Sequence, residues 1–150
     1  MFKLRPILIA EDNANDVELT LAALHRLKLG NELVVVRDGA EALDFLHCRK
    51  QFAGRSSGQP AVILLDLKMP RVDGLETLRL IRADAELRTL PVVILTSSRE
   101  ESDLIKGYQF GANSYVVKPV DFDQFTAAIS HVGVFWASIN EPPPVATRAS

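Results

Sequence analysis

The stretch from Ala61 to Gly74, A-V-I-L-L-D-L-K-M-P-R-V-D-G, constrains the chain more than any other. Five apolar residues, Ala61 to Leu65, run without a polar break and stop at Asp66. Such a run, followed by turn chemistry, predicts a strand buried on both faces of a parallel sheet. Parallel sheets place ligands and chemistry at the carboxyl ends of their strands, and Asp66 stands at such an end. Pro70 and the Asp73-Gly74 pair then turn the chain into a helix.

The same unit recurs along the sequence. Short apolar strands are expected at 6–10, 33–36, 91–95 and 114–117. Each is followed by a helical pattern. After the first strand, Asn13 or Asn15 can cap a helix carrying Val17, Leu21 and Leu24, and Gly30 stops it. Asp38-Gly39 opens a second helix with Ala42, Leu43, Phe45 and Leu46. A third runs from about Leu75 to Leu87. A fourth runs from about Glu100 to Phe110 and ends at Gly111. The last begins at Asp121 and reaches about Ile139. The polar segment 51–60 reads as a flexible surface loop. Five strands alternating with five helices imply a parallel sheet covered on both faces. Right-handed crossovers make a flavodoxin-like doubly wound (βα)5 sheet of order 2-1-3-4-5 the expected topology. One domain is expected over 5–139. An extended tail over 140–150, containing Pro142-Pro143-Pro144, follows it.

Composition narrows the function classes. The 150 residues, 47% hydrophobic and 24% charged, suit one globular domain. A net charge of −2 argues against a nucleic-acid partner, which needs clustered Lys and Arg. The single cysteine, Cys48, excludes an internal disulfide and is expected as a partly buried helix residue. No apolar stretch is long enough to span a bilayer, and the N-terminus shows no signal-peptide pattern. A cytoplasmic protein is expected.

In the expected topology the strand tips Glu11-Asp12, Asp66, Thr96 and Lys118 fall on one sheet edge. Three converging carboxylates, Glu11, Asp12 and Asp66, repel one another unless a cation sits among them. Hard oxygen ligands of this kind suit Mg²⁺. Lys118 adds a point charge and Thr96 a hydroxyl donor, which together make a set able to hold a phosphoryl group. Asp66 can be the nucleophile, giving an aspartyl phosphate.

Glu11-Asp12, D-L-K-M-P-R-V-D-G from Asp66, Thr96-Ser97 and Lys118-Pro119 stand in the order and spacing of a known family. On them the chain resembles the receiver domain of two-component response regulators, from about Arg5 to Ile139. The resemblance implies that Asp66 accepts a phosphoryl group from a histidine kinase. It implies that Glu11, Asp12, Asp66 and the backbone carbonyl of Lys68 bind Mg²⁺, and that Thr96 and Lys118 hold the phosphoryl oxygens. It further implies a cis bond at Lys118-Pro119 and a switch in which Tyr115 turns inward as Thr96 moves. Lys68 and Ser98, two residues after Asp66 and Thr96, occupy positions that vary within the family. Lys68 is expected at the mouth of the site, affecting water attack.

With no output domain in the sequence, signalling is expected through protein–protein contacts. Phe122, Phe125, Ile129, Val132 and Trp136 form a stripe that can face the sheet, with Val134 opposite and Phe135 well off it. Exposed apolar residues beside a proline-rich tail suggest an interface formed by Val134, Phe135 and Trp136. The F-W-A-S-I-N-E-P-P-P ending resembles single-domain regulators that serve bacterial phytochrome kinases. That resemblance implies a homodimer through the fourth helix, fifth strand, last helix and tail. Three other classes are weighed. A phosphohydrolase using an aspartate nucleophile commonly needs a second acid where Lys68 stands, so an enzyme acting on external substrates is not expected. A flavodoxin-like electron carrier needs a Ser/Thr-rich phosphate loop where Glu11-Asp12-Asn13 stands. A dimeric receiver scaffold independent of phosphorylation remains the alternative.

Overall fold

The structure is a computed structural model that describes residues 4–55 and 58–141. Its elements follow in the order β1 (Ile7–Ala10), α1 (Ala14–Arg26), β2 (Leu33–Val36), α2 (Gly39–Leu46), β3 (Val62–Leu65), α3 (Gly74–Ala83), β4 (Val92–Thr96), α4 (Glu101–Gln109), β5 (Ser114–Val117) and α5 (Phe122–Val134). The strands form one sheet in the order β2-β1-β3-β4-β5, all pairs parallel. The five strands, their order and the five helices match the sequence expectation.

Strand periodicity sorts the core into two layers. Ile7, Ile9, Val62, Leu64, Val93 and Leu95 face one way, against Ala23 and Leu24 of α1 and Phe125 and Ile129 of α5. Leu8, Ala10, Ile63, Leu65, Val92 and Ile94 face the other way, against Phe45 and Leu46 of α2 and Leu78 and Ile81 of α3. The central strands β1, β3 and β4 are buried on both faces, which is why they read as continuous apolar runs.

Register carries the polar tips to one level. Ala10 pairs with both Val36 and Leu65, and Leu65 pairs with Ile94. The ladder continues one residue past the strands: the Glu11 amide donates to Val36 O at 3.0 Å, and the Asp66 amide to Ala10 O at 3.0 Å. The Lys118 amide donates to Thr96 O at 2.7 Å.

Several local expectations change. The third helix stops at Ala83, because Asp84 adopts extended backbone and the segment up to Leu90 folds as turns. Arg82 holds those turns, donating from its guanidinium to the carbonyls of Arg88, Leu90 and Gly111 and to Asn113 Oδ1. The α-helical part of the last helix ends at Val134, and Phe135–Ile139 continues as a π-helix. Phe122 does not join the stripe facing the sheet: it starts α5 and is 51% exposed, whereas Phe125 and Ile129 are buried. Cys48 lies beyond α2 with φ of 53°. The start of the 51–60 loop is anchored: Lys50–Phe52 is a 3₁₀ turn, and Phe52 packs edge-on against Phe45. Arg55 stacks 3.9 Å over the Phe45 ring and donates to Phe45 O at 2.8 Å. The first helix ends at Arg26, four residues before Gly30, which takes φ of 82°. Pro142-Pro143-Pro144 and most of the expected tail lie outside the described residues.

Close approach dictates Gly74. A Cβ there would stand 2.1 Å from Asp66 O and 2.6 Å from the Leu67 Cα, so the start of α3 can lie directly against the strand tip only without a side chain. Gly74→Ala is expected to lower the unfolding free energy by about 1–3 kcal/mol in urea melts, the range for forcing atoms into a packed site. An unchanged midpoint would show that the Asp66–Leu67 turn yields freely.

Candidate functional site

Each polar tip arrives by a local cause. Asn13 caps α1, its Oδ1 accepting the Asp16 amide at 3.0 Å, which fixes the first turn after Glu11-Asp12. Asp38 caps α2 through the Glu41 amide at 2.8 Å and receives both arms of the Arg71 guanidinium, at 2.8 and 3.0 Å. That fork ties the β2–α2 loop to the loop that follows Asp66. Asp66 itself is buried, and its Oδ1 accepts the Leu67 amide at 2.7 Å.

Lys118 crosses from the tip of β5 to these acids. Its Nζ donates to Glu11 Oε1 and, at 2.8 Å, to Asp16 Oδ2, and stands 3.4 Å from Asp66 Oδ2. Glu11, Asp66, Thr96 and Lys118 are all buried, at 9% exposure or less. The Lys118–Pro119 bond is trans, contrary to the expectation of cis. Trans is the lower-energy isomer of an X–Pro bond, and from it Lys118 still reaches all three carboxylates.

Oxygens from Glu11, Asp12 and Asp66 lie within 4.8 Å of one another. This is a set of hard donors at a spacing one small divalent cation can bridge, so the residues fit Mg²⁺. The charge balance points the same way. Burial, together with a hydrogen bond to Asp66, pushes the Glu11 carboxyl up to about 7, although Lys118 works against the rise. Burial alone would lower the Lys118 ammonium, but its hydrogen bonds to Asp16 and Glu11 raise it. Glu11, Asp16 and Asp66 share the one ammonium, Asp12 stands beside Glu11 and Asp66, and the negative excess is what a cation would relieve.

Of the residues expected from sequence, Glu11, Asp12, Asp66 and Lys118 come together. Thr96 ends β4, the neighbour of β3, fully buried, with its Oγ1 accepting the Ser98 amide at a long 3.4 Å. Lys68 is exposed in the loop after Asp66. Tyr115 is half-buried, and its hydroxyl donates to Ser98 O at 3.0 Å. Ser98 in turn donates its hydroxyl to Asp103 Oδ2 at 2.6 Å. Val134 is half-buried. Phe135 is 45% exposed and packs edge-on against Trp136, which lies against the α1–α5 core. Sequence reasoning missed Asp16. An acid in the first turn of a helix reads as a dipole or capping residue, and only the fold brings it to Lys118.

Comparison with known proteins agrees with this geometry. The profile described as the response regulator receiver domain matches residues 7–130. Rcp1 of Synechocystis sp., a response regulator, is 34% identical over 130 residues, 87% of each chain. The solved structure of the phosphorylated cyanobacterial phytochrome response regulator RcpA superposes with a TM-score of 0.88 at 34% identity, covering 95% of this chain and 100% of that one. The bacteriophytochrome response regulator RtBRR is 60% identical, with a TM-score of 0.76, covering 95% of this chain and 86% of that one.

The raised Glu11 pKa sets a pH dependence for the metal-free protein. The folded state binds a proton that the unfolded chain, at 4.5, releases, so Glu11 contributes most below pH 4.5 and loses that contribution as pH rises to about 7 and beyond. Glu11→Gln is expected to flatten this fall in thermal melts taken with chelator between pH 5 and 8. Parallel pH profiles for the two proteins would refute the assignment.

Proposed function

The chain belongs to the response regulator receiver domain family and is related to the phytochrome response regulators, and from that premise we propose that it is a single-domain regulator phosphorylated on Asp66 by a histidine kinase. The observation that carries the reading is the meeting of Lys118 Nζ with Glu11 and Asp66 beside a carboxylate set that fits Mg²⁺. In the reaction an Asp66 carboxylate oxygen forms a bond to the phosphorus of a phosphohistidine. The P–N bond breaks and its electron pair stays with the imidazole. In a separate step water attacks the phosphorus of the aspartyl phosphate, the bond from phosphorus to the Asp66 oxygen breaks with its electron pair returning to the carboxylate, and inorganic phosphate leaves with a proton lost to solvent. The Leu67 amide holds one Asp66 oxygen in place, while Lys118 offsets the added charge and Thr96 supplies a hydroxyl donor. Mg²⁺, held by Glu11, Asp12, Asp66 and the Lys68 carbonyl, would neutralise the carboxylates and attract the incoming phosphoryl oxygens. The exposed Lys68 side chain governs water access. The protein catalyses only its own phosphorylation and dephosphorylation, acts in the cytoplasm and has no nucleic-acid partner.

The kinase partner we assign is a bacterial phytochrome, on the strength of the RcpA and RtBRR relationships. We assign a homodimer to the α4–β5–α5 face and the π-helical end. In support, Ile105 and Tyr108 on α4, Val120 and Phe122 before and at the start of α5, and Phe135 and Ile139 at its end are large apolar residues left exposed. Tyr115, between the site and α4, is the proposed switch residue.

Incubation with a small phosphodonor and Mg²⁺ is expected to add one phosphoryl group by intact mass, and none without Mg²⁺ or in Asp66→Asn. No gain under any condition would move the function to a phosphorylation-independent scaffold. Truncation after Ile139 is expected to weaken the dimer in sedimentation velocity. Identical association of full-length and truncated protein would remove the tail from the interface.

A further inference from the structure

Lys118 has a partner that the chemistry above does not use. Its Nζ lies 2.8 Å from Asp16 Oδ2 but 3.4 Å from Asp66 Oδ2, the proposed phosphoacceptor. Asp16 is not among the three carboxylates whose oxygens converge within 4.8 Å. Its backbone is fixed by the Asn13 cap, so the first turn of α1 presents the carboxylate to the lysine by construction. An ammonium has three N–H donors, and here three carboxylates face it. A phosphoryl group on Asp66 brings further charged oxygens, and Lys118 can turn to them only by loosening one of the contacts it already makes. Glu11 is buried with it, whereas the Asp16 side chain is 28% exposed and can take water in exchange.

Resting on the phosphoacceptor reading, we propose that Asp16 is a positioning residue: it holds the Lys118 ammonium short of Asp66 and thereby limits how tightly a phosphoryl group is held. The contact is made in the unphosphorylated protein and given up on phosphorylation, so its removal favours the phosphorylated form. Because the pair is part-exposed, the effect is modest, about twofold to fivefold.

The test uses beryllofluoride, a non-covalent phosphoryl mimic, titrated calorimetrically into the full chain with saturating Mg²⁺. Asp16→Ala and Asp16→Asn are expected to bind it about twofold to fivefold more tightly than the wild type. Asp16→Glu should return towards the wild-type value, and Glu18→Gln, an exposed acid on the same helix, should leave it unchanged. A variant damaged in folding loses affinity, so a gain separates positioning from a merely structural role. The gain should persist at ~1 M NaCl, where through-space charge effects are screened beyond about 3 Å. Equal or weaker binding by both Asp16→Ala and Asp16→Asn, an equal gain in Glu18→Gln, or collapse of the gain in salt would overturn the proposal and leave the phosphoacceptor reading standing. A wild type that binds no beryllofluoride would overturn both.

Discussion

Everything at the site depends on one buried ammonium shared among carboxylates from three parts of the chain. Lys118 comes from the tip of β5, Glu11 and Asp16 from β1 and α1, and Asp66 from β3. Charges taken out of water at this level are tolerable only when paired: removing one member of the buried Lys118–Glu11 pair would typically cost about 3–5 kcal/mol, whereas the part-exposed Asp16 counts for much less. The pairing in turn requires that three strand ends lie level. Parallel register supplies this, carrying the ladder one residue past each strand so that Glu11, Asp66 and Lys118 are each fixed by their own backbone amide. The fold therefore does not merely carry the site; its hydrogen-bond register sets the distances at which the charges act.

Packing around the tips keeps them there. Gly74 lets α3 begin directly against the Asp66 carbonyl, and Gly39 does the same for α2 against Val72 O, where a Cβ would stand 2.3 Å away. The Asp38–Arg71 fork joins these two loops, with Arg71 accepting φ of 61° to reach it. Burial alone would raise the Asp38 carboxyl, but the Arg71 guanidinium and the capping amides of α2 hold it below the usual carboxylate range. The fork therefore counts most when Asp38 is ionised. On the far side of α3, Arg82 gathers carbonyls from two turns and Asn113, whose own Oδ1 also accepts the Val92 amide at 2.7 Å. These ties leave the β3–α3 loop little freedom to drift from the metal-compatible carboxylates.

The sheet and its order were legible because buried parallel strands announce themselves as unbroken apolar runs, and 62–65 and 92–95 are nearly pure examples. The convergence of Glu11, Asp66 and Lys118 was legible for a related reason: a polar residue closing an apolar run has a topological address before it has a contact. What the sequence could not show was anything decided across elements. Asp16 looks like a dipole residue until Lys118, 102 positions away, is seen beside it. Phe122 fits a helical stripe by spacing, yet it sits at the first turn, before α5 has settled on the sheet, and stays exposed. The segment after Lys50 looks like polar loop because the Phe45–Phe52–Arg55 stack that anchors it is made by single residues with no periodicity. The switch to a π-helix at Phe135 has no residue signal that we recognise.

The β4–α4 loop is where a change at Asp66 could leave the site. The Thr96 hydroxyl accepts the Ser98 amide at 3.4 Å, a long and weak contact. Ser98 is held much more firmly, its hydroxyl to Asp103 on α4 at 2.6 Å and its carbonyl to the Tyr115 hydroxyl at 3.0 Å. A phosphoryl oxygen that drew Thr96 towards Asp66 would break the weak contact first and strain the strong ones next. Tyr115 has little room to absorb that strain in place: its ring abuts Gly107 so closely that a Cβ there would stand 3.2 Å from it, and the same Cβ would meet Ile94 at 2.9 Å. A ring that lost its hold on Ser98 would have to leave this position rather than shift within it. Close packing of this kind resists gradual displacement, which is the property that the proposed switch at Tyr115 would need. This corner lies between the charged strand tips and α4, the helix on which Ile105 and Tyr108 are exposed.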